Sequence, residues 1–137
     1  DTYKPILLKV SPDLAHQQLD EIIDYCLRSG IDGIVAGNTT RSREGIESIS
    51  KEKIDAIGNG GMSGAPLHQK NLELVRYVHA KSEGKLPIIG VGGIMTPQQA
   101  KAMLDAGASL VEIYTGFIYE GPALIKNIIK YLETPSK

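Results

Sequence analysis

Two glycine-bearing turns, one strand–helix unit apart, concentrate the chemistry of this chain. Gly92-Gly93 follows the apolar run 87–91, and Tyr114-Thr115-Gly116 follows the run 110–113. Glycine lets backbone come close to a ligand, and the N–H groups left free there suit a phosphate. Upstream, Gly60-Gly61-Met62-Ser63-Gly64-Ala65-Pro66-Leu67 adds more glycine and a hydroxyl. It reads either as another wall of a phosphate cradle or as a flexible linker ahead of a helix. It lacks the lysine of a triphosphate-binding loop, which argues against nucleoside triphosphates. Lys9 is a charge set inside the apolar run 6–10. An interior lysine is costly unless paired, so it either meets an anion or snorkels to water at the strand end. Asn38-Thr39-Thr40 follows the next apolar run. Its donors and acceptors suit a planar heterocycle with carbonyls and ring N–H groups, or else close an Asx-type turn. Together these residues imply a phosphorylated small molecule, a cofactor being the simplest.

The elements that must position them alternate. Strands are expected at 6–10, 33–36, 87–90 and 110–113, each short and apolar as in a sheet covered on both faces. Ser11-Pro12-Asp13 is expected to open a helix bearing Leu19, Ile22, Ile23, Cys26 and Leu27, which stops at Ser29-Gly30. A second helix spans about 68–82, with Leu72, Val75, Val78 and His79 on one stripe. Thr96-Pro97-Gln98-Gln99 reads as cap, first-turn proline and capping glutamine for a third. The last follows Gly121-Pro122 with Leu124, Ile125, Ile128, Ile129 and Leu132. The polar stretch from 37 to about 66 reads as functional or disordered, with a solvated, irregular helical segment at 42–53. Alternation of this kind implies an α/β fold with a parallel sheet. Four βα units fall short of the roughly 250 residues of a (β/α)8 barrel, so half a barrel or a small open sheet is expected. In such a barrel, the loops after strands 7 and 8 bind phosphate. A half-barrel has two unpaired edges and an open concave face, and is expected to self-associate.

Composition narrows the field. A formal net charge of −1 over 137 residues gives no electrostatic case for nucleic acid. The single cysteine, Cys26, cannot form an internal disulfide and reads as a buried thiol. No apolar run approaches the roughly 20 residues of a membrane helix. His16, His68 and His79 lack metal-ligand spacing, and no serine–histidine–carboxylate set can be argued. A first residue that is not methionine, followed almost at once by a strand, leads us to expect a piece of a longer protein.

The series Leu8-Lys9-Val10-Ser11-Pro12-Asp13-Leu14, Gly37-Asn38-Thr39-Thr40, Gly60 to Leu67, Ile89-Gly90-Val91-Gly92-Gly93-Ile94 and Ile113-Tyr114-Thr115-Gly116-Phe117-Ile118-Tyr119-Glu120-Gly121-Pro122 resembles the carboxyl-terminal half of the dihydroorotate dehydrogenase family. The resemblance is strongest to its quinone-dependent class 2 branch and covers nearly the whole chain. It implies that residues 1–137 are one C-terminal half-barrel of an FMN-containing (β/α)8 TIM barrel in pyrimidine biosynthesis. Lys9, Gly37, Ser63, Gly64, Gly92, Gly93, Tyr114 and Thr115 would then bind FMN. Asn38 and Thr39 would hold dihydroorotate or orotate, and no metal is implied. The reaction would take a proton from C5 of dihydroorotate and pass a hydride from C6 to flavin N5. The catalytic serine base would lie on an earlier loop, outside this chain, and quinone would arrive through amino-terminal helices. A cytoplasmic protein touching the membrane peripherally, and an inactive isolated fragment, are the corollaries. Two positions depart from the family pattern: Gly37 stands where threonine is usual, and Met62 where leucine is common. A phosphate-binding barrel lyase or isomerase, and a non-catalytic half-barrel assembly module, are the competing readings.

Overall fold

The computed structural model describes residues 2–134. Four short strands, β1 (Leu7–Val10), β2 (Gly33–Ala36), β3 (Ile88–Val91) and β4 (Leu110–Glu112), form one sheet in the order β1-β2-β3-β4. Every neighbouring pair is parallel, and Lys9, Val35, Ile89 and Leu110 lie level across it. Parallel neighbours need crossovers. These contain α1 (His16–Ser29), α2 (Lys51–Ile57) with α3 (His68–Lys81), and α4 (Pro97–Asp105), while α5 (Thr115–Glu120) and α6 (Pro122–Glu133) follow β4. The α/β class and the four βα units are as the sequence predicts.

The period of two along each strand separates two faces. On the convex face, Val10, Ile34, Ala36 and Ile88 are buried against the helices, with Ile23, Val75, Val78 and Met103 fully enclosed beside them. On the concave face Lys9 and Glu112 are exposed, and Leu110 keeps 62% of its surface open. Among the described residues, therefore, one face of the sheet is covered rather than the two that the apolar strands suggest.

Local capping explains where the elements begin. Thr96 Oγ1 accepts from Gln99 N at 3.3 Å and Gln99 Oε1 accepts from Thr96 N at 3.1 Å, so the predicted cap of α4 forms reciprocally. The expected start of α1 at Ser11-Pro12-Asp13 is corrected. The Asp13 carboxylate accepts from Thr40 Oγ1 at 2.5 Å and from Arg41 N at 2.7 Å, which holds it to the loop after β2. The helix starts at His16 instead, where Gln18 Oε1 accepts from Ala15 N at 3.0 Å. The helical segment expected at 42–53 is displaced: α2 forms at Lys51–Ile57, and a 3-10 turn follows at Ala65–Leu67. On α3 the buried positions are Asn71, Leu72, Leu74, Val75 and Val78, whereas His79 is exposed. Cys26 is buried as predicted.

Candidate functional site

The carboxyl ends of the four strands surround a cleft of about 440 Å³. Lys9 from β1, Asn38 and Thr39 after β2, Gly92 and Gly93 after β3, and Tyr114 and Thr115 after β4 all line it, joined by Ser63 and Gly64 from the long loop. Leu67, Val91, Ile94 and Ile113 give it an apolar floor. Residues from separate motifs thus converge on one concavity, with hydroxyls and a cation on a largely apolar surface.

Interlocking contacts hold the walls. Thr40 and Met62 exchange backbone hydrogen bonds, Thr40 N to Met62 O at 3.1 Å and Met62 N to Thr40 O at 2.7 Å. A side chain on Gly61 would collide with Thr39. Thr115 Oγ1 donates to Ser63 Oγ at 3.2 Å, linking the long loop to the turn after β4. The 60–67 segment is thereby tied to two other walls and does not behave as a free linker. Gly93, at φ +73°, admits no side chain because a Cβ would run into the backbone of His68 at the start of α3. Asn38 Oδ1 accepts from Thr39 N at 2.9 Å, a contact to the next residue, while Thr40 N, the donor an Asx-type turn would use, bonds Met62 O. The Asn38 NH2 group remains available to the cleft.

Lys9 does not stand alone. Its Nζ lies 3.9 Å from Glu112 Oε2, both side chains being about half exposed (45% and 50%). A pair this open contributes about 0–1 kcal/mol and leaves the cation free to exchange partners. Sequence reasoning missed Glu112, because a lone glutamate in an apolar strand end gives no sign of its cross-sheet partner.

A second group missed from sequence lies behind the Asn38-Thr39-Thr40 loop. Lys70 Nζ donates to Asp13 Oδ1 at 2.7 Å and to Thr40 Oγ1 at 3.3 Å. Desolvation pushes the Asp13 carboxyl upward, but hydrogen bonds from Lys70, Thr40 and the Arg41 backbone outweigh it and hold its pKa at about 2. This anchor fixes the loop from which Asn38 and Thr39 reach the cleft.

Gly37 is the candidate residue that does not line the cleft. It is buried, and a Cβ there would overlap Oδ1 of Asn71 from α3. Asn71 is fully buried, and among the described residues neither its Oδ1 nor its Nδ2 has a hydrogen-bond partner. His68 Nδ1 is likewise unpaired, and burial lowers the pKa of that imidazole. No cluster of three or more metal-ligating side chains occurs among the described residues.

The sequence pattern of the dihydroorotate dehydrogenase family matches residues 2–135. A dihydroorotate dehydrogenase (quinone) from Christiangramia forsetii is 53% identical over 125 residues, which are 91% of this chain and 35% of that protein. One from Salinispora arenicola is 46% identical over 132 residues, 96% of this chain and 38% of its own length. The ligand-free DHODH of Eimeria tenella superposes with a TM-score of 0.86 at 34% identity, over 95% of this chain and 35% of that one. Its complex with ferulenol gives 0.82 at 36% identity, over 92% and 32%. The chain thus spans a little over a third of the curated relatives it matches.

Proposed function

The chain belongs to the dihydroorotate dehydrogenase family, and from that premise we propose that residues 1–137 form half of an FMN-binding barrel that oxidises dihydroorotate to orotate, with a quinone as final acceptor. The observation that carries the reading is the convergence of Ser63-Gly64, Gly92-Gly93 and Tyr114-Thr115 on the cleft that also holds Lys9, Asn38 and Thr39. A flavin mononucleotide needs an apolar bed for its ring, a cation or donor at the ring edge and a tight cradle for its phosphate. Leu67, Val91, Ile94 and Ile113 suit the first need and Lys9 the second. Gly64 and Gly93, both at positive φ and the second with no room for a Cβ, suit the third. The donor set fits the group.

When bound, FMN supplies the acceptor for the hydride that leaves dihydroorotate. Lys9 Nζ would offer a positive charge at the edge of the flavin ring. The Ser63 and Thr115 hydroxyls, with the backbone at Gly64, Gly92, Gly93 and Tyr114, hold the phosphate and fix the ring by its tail. The Asn38 amide and Thr39 hydroxyl orient the pyrimidine ring of the substrate, and the Asp13–Lys70–Thr40 anchor keeps them in place. The base that takes the substrate proton is a serine outside residues 1–137, so this chain alone turns nothing over. Its open concave face and its edges at β1 and β4 are covered by further strands, or by a second copy when the chain is isolated. Reaction with a quinone brings the whole cytoplasmic protein to the membrane surface. Among the described residues, no helix is long and apolar enough to cross a membrane.

The test is an FMN fluorescence titration of the complete gene product beside its Lys9→Ala and Gly93→Val variants, followed by dihydroorotate-dependent dye reduction. We expect quenching by the native protein, loss of binding in Gly93→Val, and turnover only in the complete protein. Steady dye reduction by purified residues 1–137 would overturn the assignment of the base. A sharp monomer by light scattering at high concentration would overturn self-association.

A further inference from the structure

A buried carboxamide without partners is unfavourable, since its donors and acceptor have left water and gained nothing. Asn71 is fully buried in this way, on the face of α3 that packs against β2 and β3. Two glycines shape the space around it. Its Oδ1 occupies the volume of a Cβ on Gly37, at the end of β2, and its Nδ2 that of a Cβ on Gly92, after β3. Gly92 has φ +105° and lines the cleft, so its backbone conformation favours glycine in any case. Gly37 is different. Its φ is not among the positive values, so its backbone does not demand glycine, and the three atoms nearest to a Cβ there all belong to Asn71.

Resting on the flavin reading above, we propose that Asn71 is a further ligand-binding residue of the cleft: its carboxamide stands in for a polar side chain at position 37 and completes its hydrogen bonds on the bound flavin, where β2 and β3 end. Position 37 is next to Asn38 and Gly92 is itself part of the lining. The orphaned amide therefore lies directly behind the wall that a ligand would touch. A short movement of the Gly37 or Gly92 backbone, neither encumbered by a side chain, brings amide and ligand together. The amide is then satisfied with ligand bound and unsatisfied without it, which couples binding to stability at this point.

The test exchanges the polar group between the two elements in the complete gene product. FMN affinity is read by fluorescence and the melting temperature is read without FMN. Asn71→Ala is expected to weaken FMN by about tenfold or more and to shift the bound flavin's visible absorption, while the melting temperature of the flavin-free protein holds or rises. A residue that merely fills the core would instead lower that temperature. Gly37→Thr alone is expected to impair both affinity and melting temperature, because it collides with Asn71. Gly37→Thr combined with Asn71→Ala is expected to restore both, to within about threefold for affinity. Native affinity in Asn71→Ala, or a fall in its flavin-free melting temperature with FMN binding unchanged, would overturn the assignment of Asn71 and leave the flavin reading standing. A native protein that binds no FMN would overturn the flavin reading itself, and the inference with it.

Discussion

The two faces of the sheet have the same backbone and opposite fates. On the convex face, Ile34, Ile88, Val75, Val78 and Met103 are fully enclosed and leave little unsatisfied. On the concave face Lys9, Leu110 and Glu112 stay open, and at the carboxyl-end mouth, where α3 begins, His68 and Asn71 keep buried polar atoms without partners among the described residues. The convex face is complete as it stands and supplies stability. The mouth is incomplete in chemistry as well as in packing, and its unmet groups are those that a ligand or further strands would satisfy. Stability and binding should therefore respond to different residues.

The sharpest way to break this contrast is in the core. Ile88→Ala should cost about 2–5 kcal/mol of unfolding free energy, read by urea titration. Equal loss in Thr115→Ala, a cleft residue, would erase the distinction. Gly93→Val should follow, combining strain at positive φ with a collision against the α3 backbone. We expect a cost of about 1–3 kcal/mol together with lost FMN binding. Retained FMN affinity would detach the β3 turn from the site.

Acid should act on the loop behind the mouth rather than on the core. The Asp13 pKa of about 2 lies below the ordinary 3.8, so its stabilisation is present above pH 3.8 and is lost as pH falls toward 2. The urea midpoint of the native chain should fall through that window relative to Asp13→Asn, and parallel curves would remove Asp13 from the anchor. Glu112→Gln should have the smallest effect. Stability should stay within about 0.5 kcal/mol, while FMN tightens a few-fold at low salt as Lys9 loses its competing carboxylate. No change in FMN affinity at any salt concentration would mean that the Lys9–Glu112 contact does not gate the cation.

The sequence made legible whatever depends on local period and local chemistry. Strands β2 and β3, the Thr96 cap and the enclosed Cys26 follow from apolar spacing and capping rules. The turns after β3 and β4 were legible as cleft lining because glycine at a strand end lets backbone approach a ligand. What stayed hidden depends on tertiary partners. Asp13 looks like part of a helix start until Thr40 and Lys70 are placed beside it. Position 37 gives no hint that Asn71 fills the space its side chain would take. Leu110 looks like core, yet the described residues leave 62% of its surface open. Asn71, thirty-four positions from Gly37 by residue number, has no signal in the chain that could pair the two.

One measurement addresses the central claim that the glycine turns together form a phosphate cradle for a flavin. FMN and riboflavin, which differ only in the phosphate, should be titrated against the complete gene product by fluorescence. A built cradle predicts FMN binding with riboflavin weaker by about 100-fold, as charge-assisted hydrogen bonds to the phosphate are lost. Equal affinity for the two would contradict it.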